Sequence, residues 1–276
     1  MKKEIPITAN ISKVKEIVPL MLPWITYQYI EKQPTDIRIT TISAALSGPL
    51  RSNGNASATG KKMPLSTRSL SSSMLTTGKL VGIEQSIIAL TQEITKTNIH
   101  NAYLRSLLGV GIASTTSLTT DIKSNILSIN PSINTKQLNQ YTFQIIRKFP
   151  TIAIIKISRD YLQYLAVVGL KQPLGQIIDN HVNEDKIKPP LKIVLNSLIA
   201  IASAPPAAFF SLLSNKIYIS LEKNTLHTFD NYFLINQVKH LGRQQLIGMA
   251  TARFIYAVST NTFIEIFSTC SNYFKK

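Results

Sequence analysis

An uncharged, apolar stretch in the second half of the chain is the clearest pattern in the sequence. Residues 193–215 contain no charged side chain, and Pro205 and Pro206 lie near the middle of the stretch. About 20 apolar residues are enough for a helix to cross a bilayer. A proline pair inside such a helix predicts a kink, because neighbouring helices satisfy the backbone carbonyls that the prolines free. The pattern therefore predicts a kinked membrane helix.

Together with this stretch, six segments have a helical and largely apolar pattern. They span about 11–30, 80–97, 101–127, 149–171, 190–220 and 242–271. The polar stretch 33–79 is rich in Ser, Thr, Asn and Gly and is predicted to be a loop. Short amphipathic basic stretches at 141–148 and 231–240 precede the fourth and sixth segments. The pattern predicts an all-α membrane bundle of six tilted, kinked helices with short amphipathic loop helices.

Charge and composition favour a membrane protein over a basic nucleic-acid binder. The chain of 276 residues has a formal net charge of +16, yet 44% of its residues are hydrophobic. Basic nucleic-acid binders normally dilute their apolar content, so we expect cationic loops or a cationic cavity and no nucleic-acid partner. Ionisable residues inside the segments, such as Arg253, are expected to face the bundle interior or a watery cavity.

The sequence contains no pattern typical of an enzyme, a metal site or a bound cofactor. It lacks a Gly-rich phosphate loop, GxSxG and HExxH. Cys270 is the only cysteine, and the four histidines are scattered. The basic start, Met1-Lys2-Lys3, is followed by Glu4 and polar residues, so no cleavable signal is expected.

The six segments fall into three pairs, with repeats at about 1–98, 99–175 and 176–276 in a single domain over 1–276. In its size, charge, three pairs, Pro205-Pro206 kink and the run at 229–267, the chain resembles the mitochondrial carrier family. The resemblance implies three pseudo-symmetric repeats around a central substrate site. It is most specific from about Phe149 onward.

The resemblance also implies salt bridges that close the two mouths of the bundle. Carriers end their even-numbered helices with an acid and a base, which here leaves two cytoplasmic pairs, Glu93 with Lys171 and Glu265 with Lys96. On the odd-numbered helices only Asp121 keeps the acid of the family's proline-acid-base motif. A matrix-side ring of bridges like that of the family is therefore not expected.

Carriers bind substrate on the even-numbered helices, below the cytoplasmic bridges. Lys79, Lys156 and Arg253 fall near that level, and we expect such a set of cations to bind an anion. Three cations favour a nucleotide, with carboxylates as the other candidates. The predicted substrate-binding residues are Arg253, Lys156, Arg159, Lys79, Gly82, Ile83 and Tyr256.

The expected function is exchange of an anionic metabolite by alternating access, in a monomer in the mitochondrial inner membrane. Membrane lipids, cardiolipin among them, are the expected partners. The Ile-, Asn-, Ser- and Lys-rich composition leaves room for a carrier-like bacterial effector that inserts into host mitochondria. The alternatives are a non-transporting interaction protein on the same membrane scaffold and a soluble basic helical protein that binds nucleic acid or membrane surfaces.

Overall fold

The prediction of an all-α fold is confirmed by the computed structural model. It describes residues 21–27, 36–57, 60–166, 172–182, 187–202, 204–223 and 242–274, and over these residues it contains helices and turns but no strand. The helices are α1 (21–27), α2 (Ile37–Leu46), α3 (Gly48–Ser57), α4 (Thr67–Ile94), α5 (Ala102–Ile129), α6 (Thr135–Lys148), α7 (Thr151–Ala166), α8 (Gln172–His181), α9 (Lys188–Ala202), α10 (Ala204–Glu222) and α11 (Arg243–Phe274).

Polar caps fix the start of four helices. Asp36, Ser66, Asn101 and Asn134 each precede a helix, and each side chain accepts a hydrogen bond from a backbone N–H of the first turn. These N–H groups have no partner within the helix, so the cap replaces the water that they lose on burial. The caps set where α2, α4, α5 and α6 begin.

The long helices pack in a closed cycle that follows the order of the chain. α2 and α3 pack against α4, α4 against α5, and α5 against α7. α7 contacts α9 and α10, these two pack against α11, and α11 returns to α2 and α3. The amphipathic helix α6 packs against α5 and α10. The cycle surrounds a centre to which α3, α4, α5, α7, α10 and α11 all contribute.

The prediction of a loop over 33–79 is wrong for most of its length. α2, α3 and the first part of α4 are helical there, and the turn between α3 and α4 includes 60–66. The small residues that indicate a loop instead allow close helix packing. At Gly48, a Cβ atom would lie only 2.6 Å from the backbone oxygen of Ser73. The hydroxyls of Thr41 and Thr76 each donate to the backbone carbonyl four residues earlier, so these polar groups have partners within their own helices.

The other predicted segments agree with the helices in different degrees. The third and sixth match α5 and α11 closely. The fifth is a bent pair, with an angle of 51° between Pro190–Ile201 and Ala204–Glu222, as the proline pair predicts. The fourth is helical as far as Ala166, whereas 167–171 lie outside the described residues. So do 231–240 and most of 11–30, of which 21–27 are described and helical.

No individual helix of the described part of the chain is both long and apolar enough to cross a bilayer. The bent pair Pro190–Ile201 and Ala204–Glu222 meets the length and composition criteria when the two helices are taken together.

The interior of the described residues is unusually polar. Buried side chains divide equally between apolar and polar residues, with 27 of each. The main apolar cluster is formed by α5, α6, α7 and α10, with Ile122, Ile145, Ile152 and Phe210 fully buried. Large apolar side chains also lie on the outside, as in the row Leu191, Val194, Leu198 and Ile201 on α9. The described helices therefore bury as many polar as apolar residues, and they leave many large apolar side chains exposed.

We expect Gly48→Ala to destabilise the contact between α3 and α4. The added methyl group must displace backbone atoms of α4, and overpacking of this kind costs about 1–3 kcal/mol. The control is Gly248→Ala, because a Cβ atom there meets Ser57 Cβ at an ordinary 3.4 Å. Thermal unfolding followed by far-UV circular dichroism should show a lower midpoint only for the Gly48 variant. Equal midpoints for the two variants would contradict the close approach.

Candidate functional site

Six charged side chains meet at the centre of the helix cycle, and we call them the central charge cluster. They come from α3, α4, α5 and α7, and they comprise three bases and three acids: Arg51, Lys156, Arg159, Glu84, Asp121 and Asp160. Their charges balance. Ionised groups withdrawn from water must be paired, so this cluster constrains how the four helices approach one another.

Lys156 is the most deeply buried member of the cluster. Its Nζ atom is 0% exposed and lies 2.9 Å from Glu84 Oε1, 2.7 Å from Asp160 Oδ2 and 3.5 Å from Asp121 Oδ2. An ammonium group has three N–H donors, which matches three carboxylates in number. One lysine on α7 thus links α7 to both α4 and α5.

The Asp121 carboxylate lies between two arginines. Arg51 Nη2 donates to Asp121 Oδ1 at 3.1 Å, and Arg159 Nη2 lies 2.7 Å from Asp121 Oδ2. Arg159 also binds Asp160, and its guanidinium stacks on the ring of Phe210 at 4.7 Å from the ring centroid. The aspartate therefore joins α3, α5 and α7, and the stacking connects the cluster to α10.

Two serines of α5 complete the polar shell around the acids. Ser117 Oγ donates to Glu84 Oε1 and Ser114 Oγ donates to Asp160 Oδ2, both at 2.7 Å. Between α4, α5 and α7 lies a cavity of about 190 Å³ on whose wall Glu84, Ser114 and Asp160 are placed. Because its charged lining groups are carboxylates, this cavity is not a direct route for an anion.

Arg253 on α11 is the charge that the cluster does not balance. Its side chain is buried, with 8% of the residue exposed, and its Nε atom has no hydrogen-bond partner. It lies within electrostatic range of Arg51, Arg159 and Asp121. It forms no ion pair with any described residue. Among the described residues, the buried centre thus carries one positive charge in excess, and an anion would neutralise it.

The structure brings three of the predicted substrate-binding cations to the centre and leaves the fourth apart. Lys156, Arg159 and Arg253 lie there, whereas partly exposed Lys79 makes none of the ion pairs of the cluster. Gly82 faces Pro23 of α1 and Thr41 of α2, where a Cβ atom would lie 2.9 Å from Pro23 Cγ.

Two of the named cations, moreover, are already neutralised. Lys156 and Arg159 each bind carboxylates, so they are not free to hold a substrate in this conformation. Ile83 and Tyr256 are partly exposed, and Tyr256 lies within electrostatic range of Arg253.

The predicted pairing of Glu265 with Lys96 is not present. Lys96 Nζ instead lies 3.7 Å from Glu93 Oε1, three residues earlier, and both side chains are largely exposed. The reason is topological, since Lys96 follows α4 while α11 packs against α2, α3, α9 and α10. Lys171, the predicted partner of Glu93, lies outside the described residues. Asp121 forms bridges that the sequence did not predict: one to Arg51, in a stretch predicted to be a loop, and two to Lys156 and Arg159, which were predicted to bind substrate.

Sequence reasoning missed Arg51, Glu84 and Asp160 as members of the site. Two signals for them are present in the sequence. Glu84 is an acid inside an otherwise apolar stretch, and Asp160 follows Lys156 by four residues on the same helix face. Arg51 has no such signal, because it stands in a Ser- and Asn-rich stretch.

Over the described ranges no group of His, Cys, Asp and Glu side chains is placed to hold a metal ion. The acids of the cluster are occupied by lysine and arginine instead.

No protein-family profile, curated protein or solved structure shows significant similarity to this chain.

We expect Lys156→Met to destabilise the protein strongly, because it leaves Glu84, Asp121 and Asp160 with one partner fewer. Removing one partner of a buried ion pair costs about 3–5 kcal/mol. Adding Asp160→Asn should restore part of that loss, which a double-mutant cycle measures by denaturant unfolding. The control is Lys96→Met, since its exposed pair contributes little. Strictly additive losses in the cycle would mean that Lys156 and Asp160 do not stabilise each other.

Proposed function

We propose that the protein is a divergent carrier-like transporter of an anionic metabolite that works by alternating access. The observation that carries the proposal is Arg253, a buried guanidinium that the balanced cluster beside it does not neutralise. An uncompensated charge in a water-poor interior costs several kcal/mol. Such a group is therefore typical of a site that binds and releases a ligand of opposite charge.

The cycle of helix contacts supports a bundle of six units. The first unit is α2 with α3, which takes the place of the predicted first segment at about 11–30. The next three units are α4, α5 and α7, the fifth is α9 with α10, and the sixth is α11. Each unit packs against the next, and the sixth packs against the first. This order is that of three consecutive pairs closed into a ring.

Two of the three odd-numbered units share a break next to proline, whereas the third unit, α5, is one continuous helix. The first is interrupted at Ser47, just before Gly48-Pro49, and the fifth bends before Pro205-Pro206. Their inner ends are tied together by polar contacts: Arg51 of the first unit binds Asp121 of the third, and Asn55 of the first accepts from Ser211 of the fifth at 3.2 Å. We propose that these contacts close one mouth of the transporter.

The distribution of polar and apolar side chains supports a location within lipid. Serines, threonines, asparagines and charged groups are buried, whereas rows of large apolar side chains lie outside, with Leu198 53% exposed. In a bilayer the outer rows contact acyl chains, and the polar groups are shielded by the ring. On the strength of the resemblance we place the protein in a mitochondrial inner membrane, the host's if it is a bacterial effector.

The pairing of Lys156 and Arg159 changes the expected substrate. Three free cations would favour a multiply charged nucleotide, but Lys156 is paired and Lys79 lies apart from the cluster. Among the described residues, this leaves Arg253 as the unpaired cation at the centre. One guanidinium binds a phosphate or a carboxylate equally well. Nucleotides and carboxylates are therefore equal candidates.

We expect Arg253→Met to slow exchange and yet to stabilise the protein. Purified protein is reconstituted into liposomes loaded with nucleotides or with di- and tricarboxylates, and uptake of the labelled compound is measured. Loss of a charge-assisted contact should slow uptake by about tenfold or more. Removing an unpaired buried charge should raise stability in detergent by about 1 kcal/mol or more.

The matched control is Arg243→Met, at the exposed start of the same helix. It should leave both uptake and stability near those of the unmodified protein. Unmodified protein that inserts into the liposomes but exchanges none of these compounds would favour a non-transporting scaffold. Protein that alkaline carbonate removes from membranes would contradict a membrane-spanning fold.

A further inference from the structure

The contact between α3 and α11 places a second arginine beside Arg253. The two helices run antiparallel: Gly54 faces Ala252, where a Cβ atom on the glycine would lie 2.8 Å from Ala252 Cβ. Further along, Ser47 Oγ donates to Ser259 Oγ at 3.0 Å. Along α3, Arg51 lies between Ser47 and Gly54. Along α11, Arg253 lies between Ala252 and Ser259.

Both guanidinium groups are buried and incompletely paired. Arg51 is 7% exposed and Arg253 is 8% exposed, and the Nε atom of each has no hydrogen-bond partner. Arg51 makes a single hydrogen bond to Asp121, from Nη2 to Oδ1 at 3.1 Å, and Asp121 is shared with Arg159 at 2.7 Å. Two like charges with unused donors, side by side in a dry interface, are a strong attraction for an oxyanion.

We infer that Arg51 and Arg253 together form one oxyanion site, and that the Asp121 carboxylate binds Arg51 in place of the anion when the site is empty. The inference rests on the proposed anionic substrate and adds Arg51 as a binding residue. An entering phosphate or carboxylate group binds the free edges of both arginines. It thereby competes with the Asp121 carboxylate for Arg51.

This competition couples binding to the shape of the protein. When the anion holds Arg51, Asp121 retains Arg159 and Lys156 as partners, so no carboxylate is stranded. The link between α3 and α5 is then released, while the link between α5 and α7 stays. The substrate therefore weakens one of the contacts that we propose to close one mouth.

The test uses the full chain purified in detergent and inorganic phosphate as the probe, with chloride at matched ionic strength as the reference. Phosphate should raise the thermal midpoint of the unmodified protein relative to chloride, with a concentration dependence that gives an apparent Kd. Arg51→Gln and Arg253→Gln should each weaken phosphate binding about tenfold or more. Arg243→Gln, which lies outside the site, should not change it.

Asp121→Asn separates a binding role of Arg51 from a purely structural one. Without the competing carboxylate, phosphate should bind about tenfold more tightly, because Arg51 no longer has to exchange partners. Losing this carboxylate also raises the net positive charge of the buried centre, so the substitution is repeated in the Arg51→Gln background. A gain that needs Arg51 supports the inference, whereas an equal gain in both backgrounds, or no gain at all, would overturn it. If Asp121→Asn does not fold, the two glutamine variants decide the question.

The outcomes also separate this inference from the proposed transport. Phosphate binding that depends on Arg51 and Arg253, without exchange in liposomes, keeps the oxyanion site and removes the transporter. Exchange that depends on Arg253 but not on Arg51 removes the two-arginine site and keeps the transporter. An unmodified protein that phosphate does not stabilise relative to chloride contradicts the site itself.

Discussion

The ion pairs around Lys156 are the interaction on which the arrangement of the helices most depends. One ammonium group, fully withdrawn from solvent, lies within reach of carboxylates from α4, α5 and α7. Such a group tolerates neither a missing partner nor a large displacement, because each lost contact leaves a charge unpaired. The spacing of these three helices is therefore fixed more tightly at the cluster than apolar packing alone would fix it.

Around this fixed point the remaining helices have contacts that are easier to change. Arg51 links α3 to the cluster through one 3.1 Å hydrogen bond to a shared aspartate, and Ser211 of α10 donates to Asn55 of α3. Arg253 on α11 adds a positive charge that no carboxylate among the described residues pairs with. The α4–α5–α7 group, whose charges are paired, faces α3 and α11, whose arginines are incompletely paired. A bound anion can shift this arrangement, since it changes which charges are satisfied.

Much of the fold could be predicted from hydrophobic patterning, and the failures have clear physical causes. α5 and α11 follow long apolar patterns, and the proline pair correctly indicates the bend between α9 and α10. α2, α3 and the start of α4 were missed because Ser, Thr, Asn and Gly indicate loops when they are exposed. Here the same residues lie between helices, where small side chains permit close approach.

The site was predictable only in part for a similar reason. Lys156, Arg159 and Arg253 could be recognised as cations within apolar segments, but their partners depend on which helices become neighbours. Glu84 and Asp121 are distant from Lys156 in sequence, and Arg51 stood in a region without a predicted helix. The pairing that leaves only Arg253 unbalanced is thus a property of the tertiary structure.

The central claim is that a charged interior is enclosed by an outer surface that faces lipid. The most direct measurement is fluorescence quenching by lipids with brominated acyl chains, in reconstituted protein whose only natural tryptophan is removed by Trp24→Phe. A tryptophan introduced by Leu198→Trp, at an exposed position of α9, should be strongly quenched, whereas one introduced by Phe210→Trp, at a buried position beside Arg159, should be quenched little. Weak quenching at position 198, or equal quenching at both positions, would contradict the account.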